Sequence, residues 1–530
     1  MNGWNFTLNY WRRAAPGVRW AGAVALLLII VACGVNPVTG ERELSLISES
    51  EEIALGEQQY EPTKQSEGGE LTVDAQLSAY VNEVGQRVAA FSPRDLPYEF
   101  VVLNNSVPNA WALPGGKIAV NRGLLYELNN EAELAAVLGH EVVHSAARHG
   151  AQSMERGILM QGALMATAIA ASSNEYAGII VGGAQVGAQL INQGYGREAE
   201  READLYGTRY LAQAGYDPQA AVTLQEAFVR LSNGREPGWL DGLFSSHPPS
   251  MERVRNNQQL VAQLRSEGFT GGELGEERYQ QRTALLRDTR AAYEALDEAQ
   301  ALLAQNQPAA AQQRVDAAIA MFPREPRFYG LKADIALSQG RPEEAVRLYN
   351  EAISRHDGYF DFYLGRGLAY SRMGNSQRAE ADLRASAELL PTALAMNELG
   401  TMALAANDRS NAKAYFQQAA TAPGALGQQA QTAFMQLDVA DNPGNYLQTA
   451  AHLSNDGRLL IRVQNRSPLP LTQIRMEVQA VIGGERVSRQ VTVPSLASGQ
   501  TGDVDSGLRA TANAPLAGAQ VVVRGASAGQ

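Results

Sequence analysis

The sequence predicts a multidomain, mainly α-helical protein: an α+β domain first, then an α-solenoid of helical repeats, then a small C-terminal β-sandwich. Three observations carry this prediction: two histidines four residues apart in a helical pattern, small residues recurring at intervals of 33 or 34, and two-residue alternation near the C-terminus. The 530 residues, 45% of them hydrophobic, are enough for three domains of ordinary size. We expect these domains at residues 33–270, 291–440 and 445–530, with a linker or connecting helix at 271–290.

The first 32 residues form a separate segment. They contain three arginines, no acidic residue and an apolar run that ends just before Cys33. The run is too short for a comfortable membrane span and is typical of a secretory signal peptide. Ile30-Val-Ala-Cys33 resembles the lipobox of bacterial lipoproteins, which implies that Cys33 is lipidated and, with Gly34 next to it, that the anchor is in the outer membrane. The alternative is an ordinary signal or N-terminal anchor with a chance cysteine.

The start of the first domain mixes helices and strands. Apolar residues at three- and four-residue spacing predict helices over 50–62 and 72–92, and apolar or alternating runs predict strands over 98–103 and 111–120. Pro114-Gly-Gly116 is a turn between strand segments. We expect residues 110–120 to form a sheet edge, where an extended peptide can add itself as a strand. An ordinary core strand is the alternative.

The pattern H-E-V-V-H at residues 140–144 carries the chemistry. An asparagine pair before Glu131 and Gly150 after the run are start and stop signals for a helix of about five turns. On that helix His140 and His144 project from one face, as two nitrogen ligands of a tetrahedral Zn²⁺ do. Glu141 can reach a water at the metal without ligating the metal. The alternative is a surface helix with two unremarkable histidines.

A catalytic zinc ion needs a third protein ligand and an open fourth position. A histidine ten residues after His140 is excluded, because that position is Gly150, and His149 is expected to interact with the helix C-terminus instead. The better candidate is Glu200, in a second predicted helix with Asp204 one turn later. An aspartate there can hydrogen-bond a ligand histidine and fix its orientation. The alternative is a solvated acidic helix face.

The pair of motifs H-E-V-V-H and E-R-E-A-D resembles the M48 metallopeptidases, which have a zincin-like α+β domain. The runs beginning at Asn36 (N-P-V-T-G-E-R-E-L-S-L-I-S) and Asn109 (N-A-W-A-L-P-G-G-K-I-A-V-N-R-G-L-L) are similar to its bacterial lipoprotein members. The resemblance covers roughly residues 34–265. It implies that His140, His144 and Glu200 are the ligands of one zinc ion, Glu141 the general base, and Asp204 a partner of a ligand.

The same resemblance singles out a sixth residue of the site. In a periplasmic member of the family a histidine in a Ser-x-His-Pro context can occupy the open zinc position and hold the enzyme shut. Ser245-Ser-His-Pro-Pro249 matches that context, so His247 is the candidate fourth ligand or plug, or else a donor to the transition state. The alternative is a loop histidine without a role.

Two further parts complete the first domain. Residues 157–194 are two apolar halves of about fifteen residues, each too short to span a membrane, and predict a Gly- and Ala-rich helical hairpin beside the cleft. A membrane-dipping or substrate-gating role for the hairpin is the alternative. Residues 219–233 and 250–265 predict helices that close the domain.

From about residue 290 the period changes to that of tetratricopeptide repeats. Small residues recur in two series with the same intervals: Ala299, Ala333, Gly367 and Gly400, and then Ala311, Ala345, Ala379 and Ala412. Four such units stack into a short solenoid that binds an extended segment or a partner surface. The aromatic side chains within them are expected mostly in the core. After residue 445, two-residue alternation separated by turn residues predicts the β-sandwich, an accessory docking module without visible chemistry.

Together these features predict a zinc metalloendopeptidase of the bacterial periplasm, lipid-anchored to the membrane. The family resemblance and the repeats imply unfolded, misassembled or stalled outer-membrane proteins as substrates, and the outer-membrane protein assembly machinery as a docking partner. The net charge of −12 argues against nucleic acid. The main alternative is a chaperone or scaffold lipoprotein with little proteolysis. A membrane-embedded prenyl-protein-type peptidase is disfavoured, because no segment beyond the signal is long enough to span a bilayer.

Overall fold

The computed structural model describes residues 33–157, 194–234 and 246–529. The chain divides into two compact units, Met1–Gly365 and Arg366–Gln530. The predicted signal peptide and nearly all of the predicted 157–194 hairpin lie outside the described residues, as does Ser245. Among the helices that are described, none combines the length and apolar character needed to cross a membrane.

The first unit begins with a mixed α/β region. Its strands are β1 Cys33–Val35, β2 Arg42–Leu44, β3 Glu99–Leu103, β4 Ala110–Leu113 and β5 Lys117–Asn121. Its helices are α1 Glu49–Ser66, α2 Ala75–Ala89, α3 Arg122–Leu125, α4 Glu131–Ala146, α5 Arg197–Gln213, α6 Gln219–Gly234 and α7 Met251–Ser266. Outside the hairpin at 157–194, the helices and strands predicted for this part of the sequence are present, with ends shifted by a few residues.

A three-stranded sheet lies beside α4. Its order is β3-β5-β4, with β3 parallel and β4 antiparallel to β5, so β4 is an edge strand and β5 is central. Of the predicted edge at 110–120, therefore, only the first part, strand β4, lies at an edge of the sheet. Every residue of β4 is buried, and the Ser145 hydroxyl of α4 donates to the carbonyl of Leu113, 3.1 Å away. This contact fixes the edge strand against the helix that carries the two histidines.

Helix α4 is buried along nearly its whole length. The Asn130 side chain caps it by accepting a hydrogen bond from the amide of Glu133 at 2.9 Å. The helix ends at Ala146, four residues before the predicted stop, because Arg148 adopts a left-handed backbone with φ 63°. Residues 149–157 are helical again. His149 therefore lies in the first turn of a new helical segment, and the expectation that it interacts with the C-terminus of α4 is wrong.

The N-terminal segment is tied to this turn. The Asn36 side chain donates to the carbonyl of Ala147 at 3.5 Å, and Arg148 donates to the carbonyl of Ile47 at 2.5 Å. A Glu155 oxygen accepts from the amides of Leu46 and Ile47 at 2.9 and 3.0 Å. The run beginning at Asn36 thus holds the end of α4 and the segment that follows it.

The segment 271–290 contains two short helices, α8 Glu276–Arg282 and α9 Ala284–Asp288. Tyr279 is fully buried and its hydroxyl donates to the carbonyl of Leu125 at 2.6 Å. One hydrophobic cluster runs from Leu71 through the α4 region and α8 to Ile335. The α/β region and the first repeat helices of this unit therefore share one core.

Within the described range 246–529, the repeats form nine helices: α10 Arg290–Ala304, α11 Pro308–Met321, α12 Pro326–Ser338, α13 Pro342–Arg355, α14 Phe360–Arg372, α15 Ser376–Leu389, α16 Ala393–Ala405, α17 Arg409–Ala419 and α18 Gly424–Asp441. The division between the two units falls inside α14. Small residues lie where helices touch: Ala299, Ala311, Ala333 and Ala345 are fully buried, and a Cβ on Gly400 would come within 3 Å of the Phe416 ring. The predicted repeat architecture is confirmed.

The second unit ends in six antiparallel strands: β6 Leu447–Leu453, β7 Arg458–Asn465, β8 Leu471–Ile482, β9 Glu485–Leu496, β10 Thr501–Arg509 and β11 Leu516–Ala528. They form two sheets with the orders β10-β7-β6 and β11-β8-β9. Alternate residues of both sheets enter one hydrophobic cluster, as two packed sheets require. The predicted C-terminal β-sandwich is present.

Candidate metal centre

Four predicted site residues bring one ligand atom each to a common point. His140, His144, Glu200 and His247 form the group, and their ligand atoms all lie within 4.8 Å of one another. His140 Nε2 lies 3.0 Å from His144 Nε2 and 3.3 Å from His247 Nδ1. Glu200 Oε1 lies 2.9 Å from His247 Nδ1 and 3.4 Å from His144 Nε2.

These separations fit a tetrahedral ion. Ligand atoms about 2.1 Å from a tetrahedral zinc ion lie roughly 3.4 Å from each other. The donor set is three imidazole nitrogens and one carboxylate, a combination that suits zinc and related divalent ions. With three protein ligands from two helices and His247 at the fourth corner, the residues present fit a bound metal.

Two crossing helices position the ligands. Helix α4 presents His140 and His144 one turn apart, and α5 presents Glu200 from its first turn. The helices approach closely at Gly139 and Gly207, where a Cβ on Gly207 would lie 2.9 Å from the His140 amide nitrogen. Because this contact leaves no room for a side chain, the two glycines set the distance between the two sets of ligands.

Asp204 contacts the ring of His140 from behind. Its Oδ1 lies 3.2 Å from His140 Nδ1, which places it where a carboxylate can orient a ligand histidine. Arg253 of α7 donates two hydrogen bonds of 2.7 Å to the Asp204 carboxylate and lies 2.9 Å from Glu200 Oε2. Burial raises the pKa of Asp204, but Arg253 outweighs burial and the pKa is lowered.

Arg253 is a site residue that was not predicted from the sequence. It lies six residues after His247, just inside a helix capped by Ser250, in a sequence that resembles any amphipathic helix start. The pairing of His247 with a following arginine is the one signal that could have pointed to it.

Glu141 lies beside the ligand group. Its side chain is buried, its Oε1 lies 3.5 Å from His247 Nε2, and its Oε2 has no hydrogen-bond partner among the described residues. Burial raises the pKa of this carboxyl group, and the nearby His247 and His140 partly offset the effect. An unpaired carboxylate oxygen at this place can accept a proton from a water molecule.

The histidines differ in charge. Burial lowers the pKa of His140, but hydrogen bonds to Asp204 and Glu200 outweigh burial and raise it to about 10. Burial lowers the pKa of His144, so that ring is neutral. Burial raises the pKa of Glu200, but His247 and the hydrogen-bonded histidines lower it well below the usual value. Without a metal, His140 therefore carries a proton between the carboxylates of Asp204 and Glu200. A divalent cation displaces a proton from the centre when it binds.

Tyr195 and His149 surround His144. The Tyr195 ring stacks on the His144 ring with centroids 3.9 Å apart, and its hydroxyl donates to the carbonyl of Ala112 in the edge strand at 3.4 Å. His149 Nδ1 lies 2.9 Å from His144 Nδ1. Neither the contact of Tyr195 nor that of His149 with His144 was predictable from the sequence, since both depend on tertiary structure.

An apolar recess of about 40 Å³ opens beside His140 and Glu141. Its walls include Val137, Leu224 and Phe228. The buried Gln225 Oε1, which has no partner among the described residues, is also part of the lining. Such a lining suits an apolar side chain of a bound ligand.

Comparison with known proteins agrees with this geometry. The model of peptidase family M48 matches residues 74–261, and tetratricopeptide-repeat models match residues 296–359 and 360–392. The mitochondrial metalloendopeptidase OMA1 of Schizosaccharomyces pombe is 30% identical over 239 residues, which are 44% of this chain and 68% of OMA1.

Two further relatives are from Escherichia coli. The β-barrel assembly-enhancing protease is 27% identical over 43% of this chain and 47% of its own length. The metalloprotease YcaL is 28% identical over 44% of this chain and 97% of its own length. The chain thus spans about half the length of the barrel-assembly relative.

The matched region contains the ligand group, its helices and the unpaired Glu141 carboxylate. Homology and geometry therefore agree on one part of the chain, and together they assign this protein to peptidase family M48 as a metallopeptidase with tetratricopeptide repeats.

Proposed function

We propose that this chain is a zinc-dependent endopeptidase. The observation that carries the proposal is the convergence of four ligand atoms next to a buried glutamate with a free carboxylate oxygen. His140, His144 and Glu200 would hold the ion. A structural zinc site has no use for such a carboxylate, whereas peptide hydrolysis needs a base at this place.

The residues of the chain have distinct tasks in this reaction. A bound zinc ion supplies a Lewis acid for the scissile carbonyl and lowers the pKa of the attacking water toward about 7. Glu141 accepts the proton of that water and passes it to the leaving amine. Asp204, held by Arg253, keeps His140 oriented. The recess beside Glu141 receives an apolar side chain next to the leaving amine.

His247 is a reversible plug in this proposal. Its Nδ1 lies within hydrogen-bond distance of both His140 Nε2 and Glu200 Oε1, where the fourth ligand of a tetrahedral ion belongs. A substrate carbonyl has to displace it. The plug limits cleavage until a substrate with sufficient affinity enters.

The proposal extends to the cellular role, with support from the relatives and from the sequence features. Similarity to the β-barrel assembly-enhancing protease supports a place in the bacterial envelope, with misfolded or stalled outer-membrane proteins as substrates. Lipidation at Cys33 would anchor the chain at the outer membrane. Tetratricopeptide repeats bind proteins, so they would dock the substrate or the assembly machinery.

One observation favours a second candidate, a chaperone or scaffold with little proteolysis. The fourth corner of the ligand group is filled by His247, so the centre is closed to a carbonyl in this state. If His247 is never displaced, the repeats alone carry the function.

The test uses protein that lacks residues 1–33, with zinc content measured beside cleavage of unfolded casein. Glu141→Gln is expected to keep its zinc and lose cleavage by several orders of magnitude, because the base is absent. His247→Ala is expected to cleave faster than wild type.

Two outcomes would reject the proposal in different ways. If the wild-type protein binds no zinc, the proposed metal centre is refuted. Zinc-loaded protein in which neither wild type nor His247→Ala cleaves casein would favour the chaperone.

A further inference from the structure

A chain of hydrogen-bonding groups extends away from the metal centre behind His144. His144 Nδ1, the nitrogen that points away from the ligand group, lies 2.9 Å from His149 Nδ1. His149 Nε2 lies 3.2 Å from Glu202 Oε2. His149 is buried, and the Glu202 side chain is 20% exposed.

The positions of the protons determine which group donates and which accepts in these hydrogen bonds. A neutral imidazole has one N–H and one lone pair, and a metal ligand must offer its lone pair to the metal. His144 can use Nε2 as a ligand only if its proton is on Nδ1. That Nδ1–H then requires an acceptor, which is the Nδ1 lone pair of His149. The proton of His149 is consequently on Nε2, where the Glu202 carboxylate accepts it.

The two ligand histidines are thus supported differently. His140 faces the Asp204 carboxylate directly at 3.2 Å, whereas His144 reaches a carboxylate only through a second imidazole. Helix α5 supplies both ends of the arrangement, because Glu200 and Glu202 are two residues apart on it. Since the Tyr195 ring stacks on the face of the His144 ring, His144 is held from its face as well as from its edge.

We propose that His149 and Glu202 are positioning residues that hold His144 in the tautomer that binds the metal. This inference rests on the proposed role of His144 as a ligand and goes beyond it, because it assigns a task to two residues outside the ligand group. His149 accepts the hydrogen bond from His144. Glu202 accepts the hydrogen bond from His149 Nε2, which keeps the His149 proton on that nitrogen and leaves Nδ1 as the acceptor for His144.

Two matched substitutions of His149 test this arrangement of hydrogen bonds. Asparagine places its Oδ1 near the position of the histidine Nδ1, so His149→Asn keeps the acceptor for His144 and loses the link to Glu202. Glutamine places its amide near the position of Nε2, so His149→Gln keeps a donor to Glu202 and loses the acceptor. The two variants are alike in polarity and differ in the one property that the inference requires.

The measurement is the equilibrium zinc affinity of protein lacking residues 1–33, from competition with a chelator. His149→Gln is expected to lower the affinity by about 10- to 100-fold, the usual effect of losing a partner of a ligand. His149→Asn is expected to remain near wild type. Glu202→Gln is expected to lower the affinity, whereas Glu198→Gln, an exposed glutamate in the first turn of the same helix, is not.

Melting of the metal-free proteins separates positioning from folding. The inference predicts similar melting temperatures for His149→Asn and His149→Gln in the absence of zinc. Equal zinc affinities for these two variants would overturn it, and so would a loss of affinity that only follows a loss of stability. A wild-type protein that binds no zinc would overturn the proposed function as well, which distinguishes the two failures.

Discussion

At the scale of single residues, the centre depends on how its buried charges are compensated. Glu200, Asp204 and Glu141 lie close together in the interior, and the first two are contacted by the Arg253 guanidinium as well as by the protonated His140 ring. Removing one partner of a buried ion pair leaves an uncompensated charge, which costs more than the pair contributes. Arg253 therefore stabilises the site before any metal binds.

Replacing Arg253 by methionine tests this compensation. The variant is expected to lose about 3–5 kcal/mol of the free energy of unfolding without zinc, because two buried carboxylates lose their guanidinium partner and keep only the protonated His140 ring. Zinc should restore part of the loss, since it brings positive charge to Glu200. The readout is the melting temperature with and without zinc.

Arg201→Met is the control for Arg253→Met. It also removes an arginine of the α5–α7 interface, but one whose ion pair with Glu252 is exposed to solvent. Its melting temperature should hardly change. Equal effects of the two substitutions would contradict the special role of Arg253.

The members of the ligand group were predictable from sequence, but of the residues that contact them only Asp204 and Glu141 were. His140 and His144 are four residues apart on one helix, and Glu200 and Asp204 repeat that spacing, so local geometry alone places each pair on one face. Arg253 and Tyr195 reach the site through tertiary contacts, and His149 does so because the backbone turns at Arg148. Spacing along a chain contains no information on such contacts.

At the level of secondary-structure elements, the crossing of α4 and α5 sets the geometry of the ligand group. The ligand spacing within each helix is fixed by the helix, but the distance between the helices depends on Gly139 and Gly207. A Cβ on Gly207 would meet the backbone of α4, which cannot turn aside as a flexible side chain can.

Gly207→Ala is therefore expected to push Glu200 away from His140 and His144. The overpacking costs about 1–3 kcal/mol, more than the roughly 1 kcal/mol by which alanine favours a helix over glycine. Zinc affinity and casein cleavage should both fall at least tenfold. Gly196→Ala, at the N-cap of the same helix with no atom within 4 Å of its Cβ, should behave as wild type. Unchanged zinc affinity in Gly207→Ala would refute this account of the crossing.

The stability of the repeat helices is expected to depend on pH. Burial and the neighbouring Asp361 raise the pKa of Asp334 in α12 to about 8, although the Tyr349 hydroxyl of α13 donates to it. The folded protein then binds a proton that the unfolded chain has released above its ordinary pKa near 4. Stability is consequently lost as the pH rises from about 4 through the folded value.

Asp334→Asn removes this loss, so its advantage in melting temperature over wild type should grow between pH 5 and pH 8. Calorimetric scans at both values measure it, with Asp316→Asn, an exposed aspartate of α11, as the control. An advantage that does not depend on pH would show that Asp334 is charged in the folded protein.

At the scale of the whole molecule, the sequence shows where the periodicity changes but not where folding units end. The change near residue 290 suggested a boundary, and the polar stretch before it suggested a linker. In the structure, Tyr279 of α8 is buried against the α/β region, and Tyr293 of α10 lies with its ring 3.9 Å below the Arg122 guanidinium. The first repeats complete the core of the region that holds the metal centre.

Truncation tests this view of the boundary. A fragment of residues 34–270 lacks α8 and every later element, and would expose the part of the shared core that Tyr279 and Phe328 cover in the full chain. Each fully buried aromatic side chain contributes about 1.5–3 kcal/mol, which is a large part of the 5–15 kcal/mol typical of a domain. We expect this fragment to aggregate or to melt well below the full chain.

A fragment of residues 34–374, which keeps α14 whole, should fold, bind one zinc ion and melt near the corresponding transition of the full chain. If the shorter fragment is monomeric and equally stable, the repeats are an independent attachment, and the sequence-based boundary at 270 is the correct one.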